Sequence, residues 1–228
     1  MARPRFSNVF GGGRHDRLEE RREDAAFLAA ALPHARVLLV AGEQVAVVEG
    51  APPRALHLAT SELAALAPGL AAPLESARLW LLGEHEGSVF FGAEAPDAAA
   101  LAAVAAARGA TVAPLKTVAA LLPEGEAALL AHLRGLAAWH ASSRYCGTCG
   151  APTAATHAGH QRRCTASGCG AVLFPRTDVA VIAIVSRGDR ALLVRQPGWR
   201  PQHFATIAGF LEPGEGLEGC LAREVREE

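Results

Sequence analysis

Four cysteines gathered between Cys146 and Cys169 constrain this chain more than any other feature. Cys146-Gly-Thr-Cys149 and Cys164-Thr-Ala-Ser-Gly-Cys169 are two knuckles separated by 14 residues. Each knuckle turns the backbone so that two thiolates converge, with Gly147, Gly150, Gly168 and Gly170 permitting the tight turns. Four thiolates then complete a tetrahedral zinc shell. A closed four-sulfur shell leaves no open position for substrate, so this zinc is read as structural. His157 and His160, in the intervening segment, are expected to face solvent on the ribbon's hairpin. Cys220 stands apart and is expected to be a packing residue of a helix.

The rest of the composition narrows the class. A chain of 228 residues has volume for one or two domains and a real core, so a disulfide-stapled mini-protein is excluded. Half of the residues are hydrophobic and only 20% charged, which excludes a disordered charged tail. With a formal net charge of −1, any nucleic-acid partner must be met locally rather than by long-range attraction. Mean hydropathy is +0.18, an alanine effect, and the apolar stretches break before the roughly 18 residues that a membrane span needs. Met1 to Gly13 has Arg3 and Arg5 but no apolar core or cleavage site of a signal peptide. A cytoplasmic, thiol-reducing location without membrane contact is therefore expected.

Residues 1–140 read as a mixed α/β domain. Asp16 to Asp24 alternates in sign and is expected to be a solvated helical face leading into Ala25 to Leu32. Ala35–Ala41 and Gln44–Glu49 read as a hairpin turning at Gly42-Glu43. A second hairpin is expected from Ala77–Leu82 and Ser88–Phe91, joined by Gly83 to Gly87. Helices are expected at Ala98–Arg108 and Glu124–Ser142, the latter with a buried stripe of Leu129, Leu130, Leu133, Leu136 and Ala137. Gly11-Gly12-Gly13 lacks the lysine and hydroxyl residue of a phosphate loop and reads as flexible chain.

The C-terminal region carries the second chemical signal. Val179–Val185 reads as one strand, forming a hairpin with Ala191–Val194, and from about Leu217 the sequence is helical. On that helix Glu224, Glu227 and Glu228 fall within roughly 100° of arc. Carboxylates crowded so closely make sense where a divalent cation neutralises them, and hard oxygen donors favour Mg²⁺ or Mn²⁺. Arg223, four residues before Glu227, can brace it. Gly209, Glu215 and Arg223-Glu224-Val225-Arg226-Glu227-Glu228 are spaced as in the Nudix box, G-x5-E-x7-R-E-U-x-E-E-x-G-U, where U is aliphatic.

With the four-cysteine ribbon upstream and Phe174-Pro175-Arg176-Thr177-Asp178 between, the chain resembles the NADH pyrophosphatase (NAD-capped RNA hydrolase) family of Nudix enzymes over roughly 120–228. The resemblance implies an α+β chain with an N-terminal domain at 1–140, a four-cysteine zinc ribbon at 144–172 and the first part of a Nudix α/β/α sandwich at 173–228. It implies cleavage of the pyrophosphate of NADH or NAD⁺ to a nicotinamide mononucleotide and AMP, removal of NAD caps from RNA 5′ ends, and a homodimer. Carried over residue by residue, Glu224 and Glu228 hold Mg²⁺ or Mn²⁺, and Glu227 is a further ligand or the general base. Arg223 braces these glutamates, the Ala208 backbone lies against a metal, and Phe174 stacks on the substrate base where many members have tyrosine. The chain stops at Glu228, before the box's x-G-U and before the family's later NAD-selecting motif. A C-terminally shortened enzyme with impaired catalysis is therefore expected.

Two other readings remain open. The box is blind to substrate, so another nucleoside diphosphate such as ADP-ribose fits it equally. The second is a zinc-ribbon RNA-binding module without catalysis, in which Arg144, Arg162, Arg163 and Arg176 touch phosphates.

Overall fold

The computed structural model describes residues 9–11, 13–66 and 79–228. The chain divides into two units, Met1–Pro175 and Arg176–Glu228. Of the expectations above, those on residues 1–8, on Gly12 and on Ala77 and Arg78 lie outside the described residues.

The first unit is built on a sheet whose central strand is buried on both sides. Helix α1 spans Ala25–Ala31, followed by strands β1 (Arg36–Ala41), β2 (Gln44–Val48), β3 (Arg54–Ala55) and β4 (His57–Ala59) and helix α2 (Thr60–Leu66). Then come β5 (Trp80–His85), β6 (Ser88–Glu94), α3 (Ala98–Ala106), β7 (Thr111–Pro114), α4 (Leu115–Val118) and α5 (Glu124–Ser142). The main path of the sheet is β3-β2-β1-β6-β5, with β4 also on β1 and β7 also on β2; β1 and β6 run parallel. Successive residues of a strand face opposite sides. Val37, Leu39 and Ala41 accordingly enter one core with Leu28, Leu63 and Leu101 of α1 to α3, while Leu38 and Val40 enter a second with Leu129, Leu133 and Leu136 of α5. The result is a sheet between two helical layers.

Both expected hairpins form. The first turns at Gly42-Glu43 as read. The second turns more tightly than expected, because β5 continues through Gly83 to His85. Only Glu86 and Gly87 remain in the turn, both at positive φ (49° and 72°), the signature of a two-residue hairpin turn.

Asp16–Asp24 is not the expected helical face. Asp16 bridges to Glu84 of β5, Leu18 is buried at φ 48°, and only a single 3-10 turn forms at Glu19–Arg21. Helix α1 starts afresh because the Asp24 carboxylate accepts the Phe27 N–H at 2.9 Å, an N-cap that separates it from the preceding turn. Gly13 is packed rather than loose, since a Cβ there would come within 2.6 Å of the Ala128 Cβ on α5. Helix α5 matches its expected bounds and buries the whole predicted stripe. Its first turn also holds the buried Glu126, which accepts the Ala55 N–H at 2.7 Å and the Arg54 Nε–H at 2.6 Å.

The ribbon follows as β8 (Thr153–Thr156), β9 (Gln161–Cys164) and β10 (Val172–Leu173), antiparallel in the order β10-β9-β8. The second unit contains β11 (Ala180–Ala183), β12 (Val185–Arg187), β13 (Arg190–Leu192), β14 (Ile207–Phe210) and α6 (Leu217–Glu227). The run Val179–Val185 is not one strand. It changes partner at Ile184, where β11 leaves its pairing with β14 and β12 begins to pair with β13. Cys220 is fully buried on α6, as expected, with its thiol donating to the Phe210 carbonyl at 3.4 Å. The observed architecture is α+β with a four-cysteine cluster at its ribbon. Among the described residues no helix is long and apolar enough to cross a membrane.

Candidate functional site

The knuckles bring all four sulfurs together. Cys146, Cys149, Cys164 and Cys169 place their Sγ atoms within 4.8 Å of one another, and no other such group of His, Cys, Asp or Glu occurs among the described residues. Tetrahedral zinc with Zn–S bonds of about 2.3 Å requires sulfurs about 3.8 Å apart. The Cys146–Cys169 and Cys149–Cys164 separations are 3.8 and 3.4 Å, and all four thiols are free of disulfides. In the first knuckle the Gly150 N–H reaches the Cys146 carbonyl at 2.8 Å with Gly150 at φ 75°. Gly168 and Gly170 likewise take positive φ, but Gly147 does not. N–H groups of Thr148 and Cys149 lower the Cys146 thiol to about 6. At Cys164 the Ala166 N–H acts in the same sense, but burial and the neighbouring sulfurs prevail and push the thiol up to about 12. Four sulfurs so close cannot all ionise without a cation among them, and a zinc ion held by these four cysteines would supply it.

The two histidines of the ribbon hairpin are not solvent-facing. His160 is buried with its Nε2 on the Leu81 carbonyl at 2.6 Å, and His157 reaches Glu23 at 2.8 Å. The cause is the turn at His157–Gly159, which folds back onto β5 so that Gly159 meets Trp80. Arg162 braces the same seam. It donates to the Thr153 hydroxyl at 2.7 Å, to the Thr153 carbonyl at 2.8 Å and to His140 Nδ1 at 2.7 Å. His140 therefore carries its proton on Nε2, which donates to the Gly159 carbonyl at 2.9 Å, and its ring stacks on Trp80 at 4.3 Å. Burial lowers both His140 and His160 to about 4.

In the second unit the organising group is Arg223. Its Nε and Nη2 donate to the two carboxylate oxygens of Glu215 at 2.8 and 2.9 Å. Nη1 donates to Glu224 at 2.7 Å and to Glu227 at 3.1 Å, and Nη2 also reaches the Phe210 carbonyl at 3.0 Å. One guanidinium thus ties the loop before α6, the last turn of that helix and the end of β14, and the paired carboxylates raise its already high pKa. Arg223, with help from the Glu212 N–H, holds the Glu215 carboxyl down to about 2. Glu224 lies over Gly209 on β14, where any Cβ would fall inside its carboxyl group.

Arg223 leaves one oxygen of Glu224 and one of Glu227 unengaged. Glu228, which caps α6, has no side-chain partner among the described residues and is exposed. The three do not converge on one point as the four sulfurs do. They offer hard oxygen donors in ones and twos, the way Mg²⁺ is ordinarily held, with water and phosphate completing the shell. Ala208 pairs with Ile182 one residue before Gly209, its methyl exposed. Phe174 belongs to the first unit, 62% exposed, and walls a cavity of about 360 Å³ with Arg22, His157, His160 and Gln161. Sequence reasoning missed Glu215 as a bound carboxylate. The signal was its place eight residues before Arg223, the separation of a helix-entry loop from the second turn.

Family models match both C-terminal segments. Residues 141–174 match the NADH pyrophosphatase zinc ribbon domain and residues 175–228 match the NUDIX domain. The chain is 42% identical over 100 residues to the NAD-capped RNA hydrolase NudC of Stutzerimonas stutzeri, covering 44% of this chain and 36% of that protein. It is 41% identical over 105 residues to the chloroplastic Nudix hydrolase 19 of Arabidopsis thaliana, covering 45% of this chain and 24% of the relative. Against NudC of Chromobacterium violaceum it is 35% identical over 147 residues, 64% of this chain and 52% of the other. The matched region spans about half or less of the length of these relatives. Residues 141–228 are a zinc ribbon of the NADH pyrophosphatase type joined to a Nudix domain.

Proposed function

We propose that the chain belongs to a hydrolase that cleaves the diphosphate of NADH or NAD⁺ to a nicotinamide mononucleotide and AMP, and that removes NAD from the 5′ ends of capped RNA. The observation that carries this reading is Arg223 holding Glu215, Glu224 and Glu227 within a Nudix domain that follows an NADH pyrophosphatase ribbon. Relatives named NAD-capped RNA hydrolase support the substrate class.

Glu224 and Glu228, with the Ala208 backbone, would hold Mg²⁺ or Mn²⁺, which when bound supplies charge neutralisation on the diphosphate and acidifies water. Glu227 serves as the general base or as a further ligand: 56% of its side chain is exposed, and the oxygen that Arg223 leaves free accepts the proton of the attacking water. Arg223 is a positioning residue, fixing the rotamers of Glu224 and Glu227. Phe174 stacks on a base of the substrate with its exposed ring. The ribbon's zinc holds structure and takes no part in the reaction. We assign domain limits of 1–140, 144–172 and 173–228, a cytoplasmic location and a homodimeric assembly to the same reading.

The test is product analysis after parallel incubation with NADH, NAD⁺ and ADP-ribose in the presence of Mn²⁺ or Mg²⁺. Nicotinamide mononucleotide and AMP, formed faster than ADP-ribose is cleaved, are expected. Preferential cleavage of ADP-ribose contradicts the assignment.

A further inference from the structure

The outward face of the ribbon sheet is basic and aromatic, and the ribbon's own residues supply no carboxylate to it. Strand pairing decides which side chains share it. Tyr145 bridges to Pro152, Thr153 pairs with Cys164, Ala154 with Arg163, Arg163 with Val172, and Arg162 with Leu173. Because side chains alternate along a strand, Thr153, Arg162 and Cys164 share one face, the one on which Arg162 reaches His140. Tyr145, Ala154, Arg163 and Val172 share the other, and Phe174, two residues past Val172, continues that row. Tyr145 is 67% exposed and Phe174 62%. Arg163 and the neighbouring Arg144 are exposed, and neither side chain has a partner among the described residues. Residues 141–175 contain Arg144, Arg162 and Arg163 and no Asp or Glu, in a chain whose net charge is −1.

This combination suits one kind of partner. Aromatic rings displayed on an open sheet stack on unpaired bases, which a duplex keeps inside, and unpaired arginines beside them meet the phosphates. Arg162, engaged by Thr153 and His140, is unavailable for this. At the Phe174 end the cavity is bordered by Glu19, Glu20 and Glu23, so a polyanion is favoured on the Arg163–Tyr145 side.

We propose that this face binds the single-stranded 5′ segment of an RNA, Tyr145 stacking on a base and Arg163 contacting the backbone. The proposal rests on the reading of the chain as acting on NAD-capped RNA and extends it from the cap to the nucleotides that follow.

The test is fluorescence anisotropy of the 228-residue chain with a 5′-fluorescein, uncapped, unstructured 12-nucleotide RNA across a KCl series, without added Mg²⁺ or Mn²⁺. Tyr145→Ala and Arg163→Glu each weaken binding about tenfold, Tyr145→Phe binds as wild type, and Arg163→Gln lowers the log–log salt slope by about 0.7. Arg187→Glu, a charge-matched change in the second unit, leaves affinity unaltered. Each variant retains one zinc per chain, which reports an intact ribbon. The proposal is overturned if Tyr145→Ala and Arg163→Glu bind as wild type, if Arg187→Glu costs as much, or if a duplex of the same sequence binds more tightly. Uncapped RNA separates the two readings. NADH cleavage alongside unchanged RNA binding by the variants removes this surface alone. ADP-ribose preference alongside the expected RNA losses removes the substrate assignment and supports the surface.

Discussion

Glu224 occupies the space above Gly209 in which every other residue would carry its Cβ. The glycine of β14 and the carboxylate of α6 are therefore one feature: the bare backbone lets the acid lie flat on the sheet while Arg223 holds it from the side. The substitution Gly209→Ala is expected to displace Glu224 and to weaken Mn²⁺ binding, followed by electron paramagnetic resonance, by at least about tenfold, a loss of roughly 1.4 kcal/mol. Zinc content is expected to stay at one per chain, because the ribbon lies in the other unit.

The Arg223–Glu215 pair carries a pH signature. The folded Glu215 carboxyl is held at about 2, below its usual 4.5, so its contribution is present above pH 4.5 and is lost as pH falls toward 2. Glu215→Gln is expected to lower the melting temperature at pH 7 by a few degrees, with the gap to wild type closing below pH 4.5. Arg223→Lys is expected to resemble Arg223→Ala more than wild type, since an ammonium cannot span both Glu215 oxygens as the guanidinium does.

The ribbon separates its cysteines from Cys220. Cys149→Ser or Cys164→Ser is expected to reduce bound zinc, read by elemental analysis, from one per chain to none. Cys220→Ser is expected to keep the zinc and to cost about 1 kcal/mol in denaturant unfolding, because its hydroxyl would be buried in place of a thiol.

Buried neutral histidines set an acid limit on the first unit. His140 and His160 sit near 4 when folded and 6.5 when free, so both stay neutral in the fold while the unfolded chain takes up protons below pH 6.5. Stability is therefore full above pH 6.5 and falls toward pH 4, by about 1.4 kcal/mol per pH unit for each histidine. Urea titrations at pH 7 and pH 5 should show this loss, and His160→Asn should show less of it.

Legibility in the sequence followed how local each determinant is. The cysteine knuckles, α5 with its leucine stripe and the spacing from Gly209 to Glu228 are written in short-range periodicities, and all appear where they were read. The β12 boundary was not readable, because the break at Ile184 depends on which distant strand pairs with each half of an unbroken apolar run. His160 was misread because a histidine in a polar hairpin looks solvated until the hairpin is seen to fold back on Leu81, 79 residues earlier. Asp16–Asp24 carries helical charge spacing, but tertiary pairing of Asp16 with Glu84 and the Asp24 cap override it. At the acidic site the helix that carries Glu224 and Glu227 was legible from the sequence. The reach of Arg223 to Glu215 and Phe210 was not, because it crosses from helix to loop and strand.

We propose that the Glu224–Glu227–Glu228 face performs the hydrolysis. Its most direct test is single-turnover cleavage of NADH with Mn²⁺ by wild type and by Glu227→Gln, with melting temperature and zinc content measured on the same samples. A fall in rate of about 10² to 10⁴ is expected for Glu227→Gln, with both controls unchanged. Cleavage by Glu227→Gln at the wild-type rate would contradict it.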